Sequence, residues 1–515
     1  MVSFLLSAAF LSLCDPQPAP NTARPPIKTV QSTCLFIARS FPFGNVSRSN
    51  RFRAPDANSR NISANRFRLD RTGPETCSCR AGDDPGSWVG SRPVSHWRPF
   101  AYVPRLTATD RSRPIELLFD IVFVLALSQV GRLMQHDSSL LGIARTVALL
   151  LLLWWPWNQM VTIACYLPSD EIRMKIGTLV ATAVFVQLAL VAPEAFMDRP
   201  GGYDGPTVFV IALIAARSIG VALCWMLAFG APRLRGNLVC LTVGAFIGYG
   251  LMFASLGTTG MTQVALLLGA ALVDIGGVCL TACPNTQARF HFGLVEGWQI
   301  HSTQIFCTRM KVAYLVSLSQ CLEFLDIIAQ AKTISASLLV FLVTAVLIMY
   351  LLWRSYGDLL FPQAISVLAP DSEKLTLGQK LALCIGGYHF VHAFMIGGVL
   401  VLAVNLQDEF AVLSDEGVAG TVDTGNLERM LAGLALVFAC QAVFFFLVTR
   451  RFDPARLVLA LACPVAIPPL VGAPVLAVAA TVVAFGIALL WWDQTRYADL
   501  RGTAQPVPAA RPAVA

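Results

Sequence analysis

The sequence predicts an all-α, polytopic transmembrane helix bundle of about 12 spans, within a range of 10–12, behind a disordered N-terminal extension. Three observations carry that expectation. Of 515 residues, 56% are hydrophobic and 13% charged, with a mean hydropathy of +0.63, whereas a soluble chain carries about 25% charge. The apolar residues recur in blocks of about 20, the length that crosses a hydrocarbon core. Basic residues collect on alternate connections between those blocks, as the positive-inside rule expects.

Residues 1–110 stand apart from the blocks. Residues 1–113 hold fifteen arginines and one lysine against seven acids, so the basic character belongs to this extension. The main body therefore gives no sign of nucleic-acid binding. Residues 4–13 (FLLSAAFLSL) have the size of a signal-peptide core, but no Lys or Arg precedes them. Leu11-Ser12-Leu13-Cys14 faintly resembles a lipoprotein cleavage box, with Leu13 too large for its position. The Arg- and Ser-rich, acid-poor composition also fits an organellar transit peptide, and a start codon assigned upstream of the true one is a further option. Disorder without function is the first reading. Most of the 14 cysteines fall inside apolar spans, where they act as small hydrophobes. Cys77-Ser78-Cys79 lacks the second ligand pair of a zinc site.

In the membrane body, residues 111–495, the spans fall near 115–135, 142–165, 175–194, 207–229, 236–256, 262–282, 311–330, 333–355, 379–404, 428–449, 455–471 and 473–492. Pro468-Pro469 and Pro474 make a re-entrant hairpin the alternative for the last two. Arg173 and Lys175, Arg233 and Arg235, Arg289 with Arg309 and Lys311, Arg354 with Lys374 and Lys380, and Arg450, Arg451 and Arg456 mark alternate connections. The intervening loops are acidic or nearly uncharged, with Arg132 and Arg145 dissenting. Both termini, including a tail at 496–515, are thus expected in the cytoplasm. Segment 283–310 reads as a cytoplasmic loop, the longest interruption in the body.

Ionisable groups at membrane depth are costly and normally face the bundle interior with a partner. The first span opens with Glu116 and Asp120, four residues apart and so on one helix face. Glu116, near the helix end, reads equally as an interfacial acid favoured by the helix dipole; Asp120, a turn deeper, reads as a group inside the bundle. Arg217 is too deep to reach the headgroups, and Asp274 and Asp120 are its candidate partners. Gln320, Glu323 and Asp326 step by three along one face. His389 and His392 are one turn apart: hydrogen bonding in a helix interface, a proton relay and a metal site are the options, with no further ligand visibly placed. No metal, cofactor or catalytic residue is predicted. Gly386-Gly387 and Gly397-Gly398 point to close helix approach or a broken span.

The run ELLFDIVFVLALSQV from Glu116 resembles the opening signature of the bacterial low temperature requirement protein A (LtrA) family, close to ELFFDLVFVFAL-Q-L. The likeness continues through WWPWNQ at 154–159, DEIRMKIG at 170–177, PEAF at 193–196, Arg217 and YHFVHAFMIGGVLVLAV at 388–404, over roughly residues 110–495. It implies a polytopic membrane protein whose molecular activity is poorly defined. Where relatives resemble HFAERHGLFVIIALGES, setting Arg309 on their arginine leaves Thr308 and Gln320 in place of glutamates and Ile305 in place of histidine. That departure reads as natural divergence, an alignment slip or a locally damaged reading frame. Arg113, Phe119 and Asp120 are also faintly similar to the FSD-containing first helix of the lysosomal potassium channel family, without its serine.

Many spans, little soluble mass and sparse acids and histidines at depth favour a protein of the bacterial inner membrane that moves an ion or small solute, with proton coupling open. Its expected partners are the bilayer and that ion or solute. The alternatives are a non-catalytic membrane factor in cold or stress adaptation and an intramembrane enzyme acting on lipids. No nucleophile elbow, Walker loop or HExxH motif supports an enzyme.

Overall fold

The computed structural model describes residues 112–167, 171–230, 235–282, 302–329, 335–369, 372–376, 379–380, 383–416 and 420–502. The extension at 1–110 and the tail from 503 lie outside them. In chain order the helices are α1 (Pro114–His136), α2 (Leu140–Ala164), α3 (Ile172–Val191), α4 (Gly205–Gly230), α5 (Arg235–Ser255), α6 (Gly260–Ala282), α7 (Thr303–Ala329), α8 (Ala336–Gly357) and the short α9 (Leu360–Leu368). A π-helical stretch (Leu383–Val391) runs directly into α10 (His392–Glu416), followed by α11 (Thr424–Thr449), α12 (Pro454–Leu470), α13 (Val475–Arg496) and α14 (Ala498–Gly502). Among the described residues ten helices are long and apolar enough to cross a membrane. The two other expected spans are also helical: α7 carries more polar residues, and α12 has 17 residues with Pro464, Pro468 and Pro469 inside it.

Local sequence sets the helix ends. Pro114 occupies the first turn of α1, where its missing N–H costs nothing. Ser139, Ser335 and Asp423 cap α2, α8 and α11 by accepting from Gly142, Leu338 and Asn426 backbone N–H groups. The prolines at 468, 469 and 474 fall at the end of α12 and in the short turn that joins it to α13. That connection zips to the segment before α11, with Val422 donating to the Ala473 carbonyl and Val475 to that of Gly420.

Three expectations are corrected. Segment 283–310 is not all loop, because α7 begins at Thr303; residues 283–301 lie outside the described ones. Ser302 starts that helix, its hydroxyl accepting from the Ile305 N–H. Arg309 is accordingly not a loop charge but a residue of the second turn, 1% exposed. Arg456 is likewise buried, on α12. The ninth span, expected at 379–404, opens as a π-helix, and α10 extends it to Glu416.

The bundle is packed inside and apolar outside. Phe123 of α1 stacks on Trp157 of α2 at 4.5 Å and meets Phe185 of α3 edge-on. The glycine pairs mark a close approach: a methyl at Gly398 of α10 would sit 2.7 Å from the Gly433 carbonyl of α11, and one at Gly433 would sit 2.8 Å from that of Gly398. Small residues at such crossings let backbones touch in lipid. Leu190, Phe246, Val343, Leu461 and Val465 point outward and exposed, as a lipid-facing surface requires.

Candidate functional site

Asp120 is completely buried and is held from two helices. Arg309 of α7 donates to its carboxylate twice, from Nη2 at 2.6 Å and Nε at 3.1 Å, and the Trp157 indole of α2 donates at 2.8 Å. This is the bidentate fork that suits a guanidinium to a carboxylate. The remaining Arg309 nitrogen, Nη1, points to the Met160 carbonyl, and the guanidinium lies over the Phe119 ring. Glu116, one turn earlier on α1, is 1% exposed and within electrostatic reach of Arg309 and Asp120. Neither of its carboxylate oxygens takes a side-chain hydrogen bond among the described residues; the donor that acts on it is the Arg113 backbone N–H at the start of α1. The interfacial reading of Glu116 therefore gives way to a buried one. Arg113 also acts on Glu116 but sits exposed at the helix start. Inside the bundle one guanidinium faces two carboxyl groups. A buried carboxylate with no side-chain donor is costly unless it takes up a proton or a cation, and a proton or small cation is what this arrangement can bind and release.

Arg217 finds its partner in Asp274, not Asp120. Its Nε and Nη2 both donate to that carboxylate, joining α4 to α6. Among the described residues Arg217 Nη1 has no partner, and neither has Oε1 of Gln159, whose amide nitrogen turns to the Cys224 sulfur.

The two histidines separate. His392 Nε2 lies 2.9 Å from the Tyr356 hydroxyl of α8. Close by, Gln441 of α11 donates to Ser355 at 2.9 Å and reaches Tyr314. His389 lies in the π-helical stretch: its carbonyl accepts from the Trp154 indole at 2.7 Å, while its Nδ1 has no partner among the described residues. Among the described residues no group of three or more His, Cys, Asp or Glu side chains is placed to hold a metal. Gln320 is buried on α7, whereas the side chains of Glu323 and Asp326 lie outside the described residues. Gln129 donates to Ser128.

Two groups escaped the sequence reading. Arg309 sits in the stretch that hydropathy reads as a loop, although Ser302-Thr303 is a helix-start signal that places it inside. Arg456 is clamped between Asp453 and Asp493 and also donates to the Ser355 carbonyl; all three side chains were left as connection charges or unremarked.

A bundle of this kind, with lipid-facing apolar helices around buried ion pairs, is a multi-pass membrane protein. The chain belongs to the family described as bacterial low temperature requirement A protein (LtrA), whose model matches residues 111–491. It is also 35% identical over 106 residues to an uncharacterized protein of Rhizobium meliloti (strain 1021), a stretch covering 20% of this chain and 24% of that relative. No solved structure matches.

Proposed function

We propose that this protein moves an ion or small solute across the bacterial inner membrane, coupled to a proton bound at Glu116. The supporting observation is the buried Glu116 carboxyl, without a side-chain hydrogen bond among the described residues, beside the Asp120–Arg309 pair. Ionisable groups at membrane depth mark ion and proton pathways by default. Arg309 holds Asp120 in place as a fixed ion pair, which leaves Glu116 as the exchangeable group. No chemistry on the solute belongs to this reading, so the protein is not proposed as an enzyme. Its partners are the bilayer and the transported ion or solute. Both termini are placed in the cytoplasm on the strength of Arg173, Lys175, Lys374, Lys380, Arg450 and Arg451, basic residues on alternate connections.

The test is flux from liposomes holding the purified protein, measured for protons, potassium, sodium and a panel of small solutes. The expected result is transport above empty vesicles whose pH dependence disappears in Glu116→Gln. Flux no greater than in empty vesicles for every ion and solute would overturn the reading.

A further inference from the structure

Helix α2 and the π-helical stretch share a seam that neither ion pair uses. Trp154 donates to the His389 carbonyl, and the Trp155 ring meets the His389 ring edge-on with centroids 5.8 Å apart. Residues 154 and 155 of α2 thus both face His389. Asn158 is four residues from the first and three from the second, so it lies on the same helix face. Along this face the hydrogen-bonding groups are left over. Both amide atoms of Asn158, Nε1 of Trp155 and Nδ1 of His389 are buried without a partner among the described residues. Asn158 is 1% exposed and Trp155 6%. Buried polar atoms in native proteins nearly always find a partner, and an isolated one costs about 1–3 kcal/mol. Several such atoms on one face, mixing donors and acceptors, are what water molecules inside a protein require, each needing two to four polar contacts.

The seam adjoins the acid site. Phe306 of α7 packs against His389 at 6.1 Å between ring centroids, and Arg309, three residues on, shares its helix face and binds Asp120. The ionisable groups on the elements that meet here are Cys384 and Tyr388 in the same π-helical stretch, His392 at the start of α10, and Cys307 and Arg309 of α7, next along from the Phe306–Tyr388 contact. Glu116 and Asp120 of α1 are reached through Arg309. Helix α2 offers none between Trp154 and Met160, and α11 presents Phe444 to the neighbouring Tyr388. A π-helical turn within a helix frequently accompanies a functional site, because its widened backbone frees carbonyls and reorients side chains.

We propose that this seam is a water-lined chamber in which protons pass between Glu116 and His389. Asn158 and Trp155 position the waters. Each water accepts one proton and gives up another, so that a proton leaving the Glu116 carboxyl arrives at His389 Nδ1 with no net change in the chain between them. The passenger rests on the transport reading above; the wetness of the seam does not.

Two measurements separate them. In liposomes, Asn158→Cys is exposed to a small water-soluble methanethiosulfonate and its adduct located by mass spectrometry, with Ala126→Cys, at a fully buried apolar site, as the dry control. Position 158 should react at least roughly tenfold faster than position 126, since thiol modification follows access. Equal, slow reaction at the two positions means a dry seam and overturns the proposal whatever the flux assay gives. Proton flux is then followed with a pH-sensitive dye in Asn158→Leu and Asn158→Gln, both checked for monodispersity. The leucine variant should lose flux about tenfold or more, and the glutamine variant should recover most of it. A wet seam with proton flux unaltered in Asn158→Leu, while Glu116→Gln abolishes it, would leave the transport reading standing and sink this one.

Discussion

Two buried arginines flank helix α2, and they are matched in different ways. Arg217 of α4 meets one carboxylate, Asp274 of α6, through two of its nitrogens, so charge is balanced one to one. Arg309 of α7 meets Asp120 with the same fork, but a second carboxyl, Glu116, lies beside it with neither oxygen taking a side-chain hydrogen bond among the described residues. A one-to-one pair in a low-dielectric interior has nothing to gain from a mobile ion and ties two helices together. A site with a surplus acid changes its energy whenever a proton or cation arrives or leaves. The contrast teaches that burial alone does not distinguish these sites; what sets the Arg309 site apart is a second buried acid that makes no hydrogen bond to the guanidinium beside it. Arg456 sharpens this. It too faces two acids, Asp453 and Asp493, but both are hydrogen-bonded to it, which places that triad with the structural pair.

The largest effect should come from Arg309→Ala, which abandons two buried carboxyls at once. Removing one partner of a buried pair costs about 3–5 kcal/mol, so the variant should lose monodispersity or melt far below the wild type. Neutralising Asp120 as Asn should restore only part of that stability, and adding Glu116→Gln should restore the rest. Full recovery in Arg309→Ala/Asp120→Asn alone would show that Glu116 does not belong to the same charge balance. Arg217→Ala is the paired experiment. It should cost a similar 3–5 kcal/mol or somewhat less, and a single Asp274→Ala change should bring back most of the melting temperature. If no carboxylate substitution rescues Arg217→Ala, the one-to-one description of that pair is wrong.

Much of this architecture was legible before any coordinates. Apolar blocks of membrane length located twelve of the fourteen described helices, ten of them long and apolar enough to cross a membrane. In lipid the backbone must satisfy its hydrogen bonds within each span, so length alone becomes informative. The candidate list was also rich: Glu116, Asp120, Arg217 and Asp274 all turned out buried. The pairing was not legible. Arg217 had two plausible partners, and choosing between them needs the order in which helices pack, which periodicity does not encode. Arg309 was missed for a specific reason: it precedes the most apolar part of its helix, so a hydropathy reading starts the span at 311 and leaves the arginine in the loop. The π-helical stretch at Leu383–Val391 gave only its glycines as a signal, and α9, a short helix of nine residues, gave none that was read.

A smaller effect is expected at the Arg456 triad. Asp493→Asn keeps Asp453 on the guanidinium, in hydrogen-bond reach of Nη1, and keeps the Ser355 carbonyl on Nη2 at 3.0 Å. It therefore removes one of the two Arg456–Asp493 hydrogen bonds and leaves the other on a neutral acceptor, a difference of about 1–3 kcal/mol. Melting temperature should fall by a few degrees while ion flux per assembled protein stays at the wild-type level. Unchanged stability combined with altered flux would move the triad out of the structural group and would blur the distinction drawn from its satisfied hydrogen bonds.

The smallest effect belongs to the surface counterpart of these pairs. Arg451 donates to Asp499 at 2.8 Å, with both side chains about half exposed. That hydrogen bond holds the Asp499 carboxyl below its ordinary value. The sign follows from linkage: a carboxyl depressed on folding stabilises the fold above its unfolded value and loses that contribution as pH falls through its folded one. Asp499→Asn should thus differ from wild type, if at all, only near neutral pH, and the two should converge in acid. Because exposed pairs gain little in high dielectric and are screened by salt, the difference at neutral pH should vanish within the scatter of a thermal melt in 0.5 M salt, a concentration chosen as roughly three times physiological. A salt-insensitive loss in Asp499→Asn would mean that the C-terminal turn at Ala498–Gly502 is docked by this carboxylate more firmly than its exposure allows. The contrast between buried and exposed arginines would then have to be drawn by partner geometry and not by depth.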